Sequence, residues 1–292
     1  MKDSQILNSC RAGKLLKYQQ KINSVRLKCT LDLKQLFPSR GQQNEFNRKW
    51  DKFIKAHPQR DREIFRREGK HRIYFSEQLI PAKKDSQRRK PLLLLLGNPA
   101  SHSVREGMFF SFEGKEGKER EHRFWKALSS AGILDFAFKR GLSVKKRSLQ
   151  RKERLLSLKY TSDYRIGLAV FISFPSPATD RRWSGVDGVE RLFGKKAMEK
   201  IIEAEKKRIL QCARKFLSPS GAVVCFNKVT WESLRCEDNR PYTPERAKHG
   251  RLSGRLKGNE SIELFCVPPT RLAGQARKVL SRFAKSHFVP RS

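Results

Sequence analysis

Acidic residues are the scarce ingredient of this chain. Asp and Glu total 29 against 65 Lys and Arg, a formal charge of +36 over 292 residues. Self-repulsion at that charge is costly to a compact monomer and favours a polyanionic partner, with nucleic acid the leading class. A ribosomal or RNA-associated protein would carry the same charge, so charge alone does not choose DNA. Cysteine is also sparse, and no two of the residues at positions 10, 29, 212, 225, 236 and 266 form a Cys-x-x-Cys pair. That excludes the usual spacing of a zinc site or a four-cysteine iron–sulfur cluster, and reduced thiols are expected. Long apolar runs are missing. The five consecutive leucines Leu92–Leu96 are too short to span a bilayer, and neither a secretory leader nor a membrane span is expected. Apolar residues make up only 37% of the chain, yet they fall in clear runs. A folded core with solvated basic additions is expected, not a disordered protein.

Those runs set the organisation. Residues 1 to about 40 read as a basic, weakly periodic extension in which Lys14, Lys17, Lys21, Arg26 and Lys28 lie among few apolar anchors. A transit peptide is a weaker alternative, opposed by Asp3 and the scarcity of early Arg. Phe46, Trp50, Phe53 and Ile54 share one helical face that ends before Pro58. Short or buried strands are predicted at Arg72–Phe75, Leu92–Leu96, Gly167–Ser173, Ala222–Asn227 and Ser261–Val267. Helices are predicted from about His122 to Ala131, over about 194–216 and from about Leu272. A basic insertion at about 139–165 carries Lys139, Arg140, Lys145, Lys146, Arg147, Arg151, Lys152 and Arg154. It reads equally as a solvated face or as a set of phosphate contacts. Strands alternating with helices predict an α/β fold with a parallel sheet covered on both faces.

The chemistry centres on Gly97-Asn98-Pro99, the loop leaving the leucine strand, because open α/β folds place reacting groups at the carboxyl ends of buried strands. Phe109-Phe110 and then His122-Arg-Phe-Trp125 follow. Together these resemble the first motif of the uracil-DNA glycosylase superfamily, closest to its mismatch-specific uracil/thymine branch, which carries a Gly-x-Asn-Pro loop, a Phe-containing segment and an Asn-Arg-Phe-Trp helix start. Here the helix start has His122, and the residue before Asn98 is itself the glycine. The resemblance covers roughly residues 90 to 288. It implies a three-layer αβα sandwich around a central, mostly parallel four-stranded sheet, within a glycosylase-like domain spanning 41–292.

The resemblance also implies roles. Asn98 would accept a hydrogen bond from water and aim it at the sugar carbon; an amide is no strong base, so its contribution is positioning. No matching carboxylate pair lies beside it, although Glu106 and Glu113 follow. From the tripeptide alone, Asn98 would simply cap a turn before Pro99. Phe110 stands where that branch stacks an aromatic on the flipped base, with Phe109 as its core neighbour, though the two roles are exchangeable. Ser101, His102 and Ser103 would line the pocket or meet a phosphate. The second motif, His/Asn-Pro-Ser before a wedge and a helix, corresponds to Val267-Pro-Pro-Thr-Arg-Leu-Ala273. Thr270 stands for the Ser, and Arg271 and Leu272 stand for the wedge that fills a vacated base stack. Pro268 departs from the pattern, since it has no side-chain donor for charge developing on the base. Asn227 ends a strand where some branches read uracil, though a structural Asn is the plainer reading. The implied activity is a monomeric, monofunctional DNA glycosylase acting on a lesion or mismatch in duplex DNA. It needs no metal or organic cofactor and works in the cytoplasm (at the bacterial nucleoid) or the nucleus. A catalytically silent nucleic-acid-binding protein of the same fold is the alternative, and an RNA-associated factor a third.

Overall fold

The computed structural model describes residues 6–12, 14–82, 84–112, 120–218, 220–269 and 273–287. In chain order the strands are β1 (Ile6–Ala12), β2 (Leu16–Lys21), β3 (Arg26–Asp32), β4 (Phe65–Glu68), β5 (His71–Leu79), β6 (Lys90–Leu96), β7 (Tyr164–Val170), β8 (Ala222–Cys225), β9 (Ser253–Leu256) and β10 (Asn259–Cys266). The helices are α1 (Leu33–Leu36), α2 (Arg40–Lys55), α3 (Ser101–Glu106), α4 (Arg123–Ser130), α5 (Val144–Ser157), α6 (Gly185–Phe193), α7 (Lys195–Leu217), α8 (Lys228–Leu234), α9 (Pro244–Lys248) and α10 (Ala273–His287). The chain divides into two compact units interleaved in sequence. One holds Met1–Gln78, Gly97–Phe109 and Val170–Cys212; the other holds Leu79–Leu96, Phe110–Ala169 and Ala213–Ser292.

In the first unit β1, β2, β3 and β5 form an antiparallel meander, and β4 also pairs antiparallel with β5. Most of the described part of the stretch expected to be weakly periodic is therefore strand, and the expectation of weak periodicity is corrected. Its period is two: Leu16, Tyr18 and Gln20 are buried on β2, alternating with exposed Lys17, Gln19 and Lys21. On β3 Leu27, Cys29 and Leu31 face inward while Arg26 and Lys28 stay exposed. The basic residues of β2 and β3 occupy the solvent side of their strands, where alternation places them. Helix α2 starts from a capping box, Ser39 Oγ accepting from Gln42 N and Gln42 Oε1 from Ser39 N. It buries Phe46, Trp50 and Phe53, one turn apart. Phe53, Phe65 and Phe174 meet in ring contacts of 5.7–6.1 Å that close this core.

In the second unit β6 and β8 run parallel with Leu92 opposite Ala222, and β8 and β10 run parallel with Cys225 opposite Cys266. β9 is antiparallel on β10. All five leucines of β6 are at most 4% exposed, as a strand buried on both faces requires. The class is α/β, but the expected four-stranded, mostly parallel sheet in a three-layer sandwich is not matched. The strands form a larger, mixed set, because the N-terminal meander adds antiparallel pairs that the alternating strand–helix pattern downstream could not announce. The predicted strand Gly167–Ser173 is shifted to Tyr164–Val170, leaving Phe171–Ser173 beyond its end. Among the described residues no helix is long and apolar enough to cross a membrane.

Candidate functional site

The loop after β6 is fastened along its length. Gly97 O accepts from Ile172 N at 2.8 Å, Pro99 O from Ser176 N at 3.0 Å, and Ser176 O from Ser101 N at 3.0 Å. Ala100 and Ser176 thereby form a parallel bridge. Within this frame the half-buried Asn98 donates through Nδ2 to Ser176 Oγ at 2.9 Å and to Phe174 O at 3.3 Å. A main-chain carbonyl only accepts, so Phe174 O decides which way the amide faces. Both amide hydrogens are spent on protein, and Oδ1 is left as the acceptor. Ser176 Oγ takes a further bond from Gly185 N at 2.9 Å, which fixes the hydroxyl as well. Asn98 therefore bonds across to the 174–176 segment and does not cap its own turn.

Behind that segment lies a sealed ion pair. Glu205 Oε2 accepts from Arg208 Nε at 2.7 Å, with both side chains at most 3% exposed. Glu205 Oε1 accepts from Ser173 N at 2.7 Å and from Ser173 Oγ, and Tyr74 OH lies 2.9 Å from the same hydroxyl. Arg208 also donates to Gln78 Oε1 at 3.0 Å and to Phe171 O at 3.2 Å. Burial raises the Tyr74 phenol well above its ordinary range, so it is a neutral hydrogen-bonding group. The buried carboxylate thus holds Ser173, and the next residue's carbonyl holds Asn98.

The remaining predicted residues of the first unit are structural in their contacts. Pro99 is buried and Gly97 half-buried. Ser101 is fully buried and donates to Asp61 Oδ2 at 2.9 Å, while Arg105 Nη1 donates to Asp61 Oδ1 at 2.7 Å. Its hydroxyl is given to a buried carboxylate, not offered to a phosphate. His102 Nε2 lies 3.4 Å from Ser103 Oγ, and Glu106 is engaged by Arg105 at 2.6 Å. Phe109 is buried in the core.

In the second unit Phe110 takes a left-handed backbone conformation, φ 46°, rare for so bulky a residue. Trp125 Nε1 holds its carbonyl at 3.0 Å. Its ring stacks on His122 at 4.2 Å and 21°, and meets Phe124 at 4.6 Å and 35°. His122 also caps α4, with Nδ1 accepting from Phe124 N at 3.1 Å. His122 thus covers a face of the ring expected to stack on a base. Asn227 caps α8: Oδ1 accepts from Thr230 N and from Thr230 Oγ1, both at 2.9 Å. That is the structural reading of this residue, although its Nδ2 is buried with no partner among the described residues. Pro268 is buried; Thr270, Arg271, Leu272 and Glu113 lie outside the described residues.

The basic insertion is part fold and part surface. Most of it is α5, capped by Ser143 Oγ. Arg151 is 1% exposed, paired with Glu121, and lies 5.0 Å from the rings of both Trp125 and Phe138. Arg147 donates to Glu121 at 3.0 Å. Lys145, Lys146 and Lys152 lie on the outward side.

The resemblance places the polar-proline segment Phe174-Pro-Ser-Pro177 near the pocket, but sequence reasoning did not assign Ser176 or Glu205 the task of holding Asn98. The signal for Ser176 was the polar position in Phe174-Pro-Ser-Pro177 just past β7. The signal for Glu205 was a Glu–Arg pair at i and i+3 on the apolar stripe of α7, a charge placement that only pairing permits. Among the described residues no group of three or more His, Cys, Asp or Glu could hold a metal ion. The chain matches no protein-family model and no curated protein sequence.

Proposed function

We propose that this chain is a monofunctional DNA glycosylase that flips a deaminated or mispaired base and hydrolyses its N-glycosidic bond. One observation carries the reading: the Asn98 amide spends both N–H groups on Phe174 O and Ser176 Oγ, leaving Oδ1 at a strand end as the acceptor. An acceptor held in one orientation can aim a water at the sugar carbon; a free amide could present either end. The amide is too weak a base to deprotonate that water fully, so the leaving group must be a fairly stable anion such as uracil. The charge of +36 supplies sequence-independent affinity for the phosphate backbone. Such an enzyme works wherever DNA lies, in the cytoplasm at a nucleoid or in a nucleus. It acts as a monomer and needs neither metal nor organic cofactor. In this reading Thr270 holds a phosphate or base oxygen, and Arg271 or Leu272 fills the gap left by the flipped base.

The test is single-turnover base release from duplexes carrying uracil, thymine opposite guanine, hypoxanthine or xanthine, with wild type and Asn98→Ala compared. Loss of release in the variant supports the reading; equal release from both overturns it.

A second reading is favoured by a specific contact. His122 covers a face of Phe110 at 4.2 Å, and Pro268 brings no donor. A nucleic-acid-binding protein without turnover fits those facts. It predicts salt-dependent binding to duplexes and no alkali-labile sites after prolonged incubation.

A further inference from the structure

A cavity of about 480 Å³ opens in the first unit between the α1–α2 turn and the start of α7. Its base is an aromatic column. Phe37 stacks on Phe46 at 5.0 Å and 28°, and Phe46 stacks on Phe193 at 5.3 Å and 23°. Phe46 and Phe193 are buried, whereas Phe37 is half-exposed and lines the cavity. The rim is cationic, with four lysines against one glutamate, and that glutamate, Glu45, is already engaged by Lys49 at 2.8 Å. Lys200 donates to Gln35 O at 3.2 Å, which fixes its ammonium beside the opening. Lys195 and Lys196 are exposed, and among the described residues no hydrogen bond or ion pair engages their side chains. They open α7, a helix of 23 residues, whose N-terminal end adds a positive field to theirs.

A flat apolar surface beside unpaired cations matches a ligand that is planar and anionic at once. We propose that this cavity takes an unstacked nucleotide of single-stranded DNA. The base lies on Phe37 and the flanking phosphates meet Lys195, Lys196 and Lys200. The assignment rests on the nucleic-acid reading above, but on none of the residues around Asn98. Charge complementarity argues for this occupant over an apolar peptide. A peptide helix would leave the lysines without a counter-charge, and a free inorganic phosphate would leave the aromatic surface uncovered.

The experiment is fluorescence anisotropy of a labelled oligothymidylate of about twelve nucleotides with the full chain, across a salt series. The lysine pair is exposed, so Lys195→Ala with Lys196→Ala leaves the fold intact. This variant is expected to lower the slope of log affinity against log salt by roughly 1.4, about 0.7 for each phosphate no longer neutralised. Phe37→Ala is expected to weaken binding about tenfold at fixed salt. Because that variant also removes a packed ring, Phe37→Trp provides the control. It is expected to bind as wild type does, with extra indole fluorescence that the oligonucleotide quenches. An unchanged salt slope, an unquenched indole, or no binding of the single strand by wild type would each overturn the proposal. Base release at saturating protein separates the two readings, since the lysine variant is expected to release base at the wild-type rate and Asn98→Ala is not.

Discussion

Glu205 and Arg208 form an ion pair sealed from solvent, 2.7 Å from Oε2 to Nε, and the same carboxylate holds the backbone N–H of Ser173. Burying two charges is expensive, and attraction offsets that cost only when both partners are present. Arg208→Ala or Glu205→Ala is therefore expected to lower unfolding free energy by about 3–5 kcal/mol, read from urea denaturation. The paired change Glu205→Leu with Arg208→Met is expected to cost much less than either single change. A loss under about 1 kcal/mol in both single variants would mean that the pair is not sealed.

Ser176 is the hinge of the Asn98 geometry, because its hydroxyl accepts from both Asn98 Nδ2 and Gly185 N. Ser176→Ala removes that acceptor but leaves Phe174 O. Base release is expected to slow about tenfold through loss of orientation, with a stability loss of about 1 kcal/mol. Asn98→Ala is expected to abolish release at a similar stability cost. Equal rates in wild type and Ser176→Ala would detach the amide's orientation from the chemistry.

Glu77 on β5 is 2% exposed, and its Oε1 has no hydrogen-bond partner among the described residues. Burial alone pushes its carboxyl well above the ordinary 4.5. A raised folded value means the native state holds a proton that the unfolded chain has released. Its contribution to stability is full below 4.5 and is lost as pH rises through the raised value. Glu77→Gln keeps the shape without the charge. The variant is expected to be more stable than wild type at neutral pH and to lose that advantage on acidification. Parallel stability curves across this range would exclude a buried, protonated Glu77.

Arg151 is buried among Trp125, Phe136 and Phe138, and Glu121 accepts from both Arg151 and Arg147. Burial lowers the guanidinium to about 10, still well above neutral pH. Glu121→Ala strands that cation and is expected to cost about 3 kcal/mol in thermal or urea unfolding. Arg151→Met is expected to cost less, because a thioether packs against the rings and Glu121 keeps Arg147. Neither change should alter the salt dependence of DNA binding, whereas Lys145→Ala with Lys152→Ala should if the outward side of α5 meets phosphate.

Local periodicity carried most of what could be read from the chain alone. Five leucines in a row predicted a strand buried on both faces, and β6 is one. Apolar residues one turn apart predicted both ends of α7, the start of α10 and the core face of α2, which itself begins at its Ser39 cap well before its first core residue. The N-terminal meander was missed because the outward positions of β2 are Lys17, Gln19 and Lys21, and those that open β3 are Arg26 and Lys28. In a chain this basic, an alternating strand and a charged tail look alike until a partner strand is known. Arg151 was missed for the converse reason: nothing in a run of basic residues marks the one that meets Glu121 and a set of rings.

The sequence by itself determined the charge of this protein, its α/β class and the place of Asn98 at the end of a leucine strand, because composition and short-range pattern are properties of neighbouring residues. Tertiary structure alone decided that Ser176 and Phe174 orient the amide, that Glu205 anchors the segment they stand on, and that His122 covers Phe110. Each of those contacts joins residues far apart along the chain or turns on a side-chain rotamer, and hydrogen-bond partners chosen across such separations leave no trace in spacing.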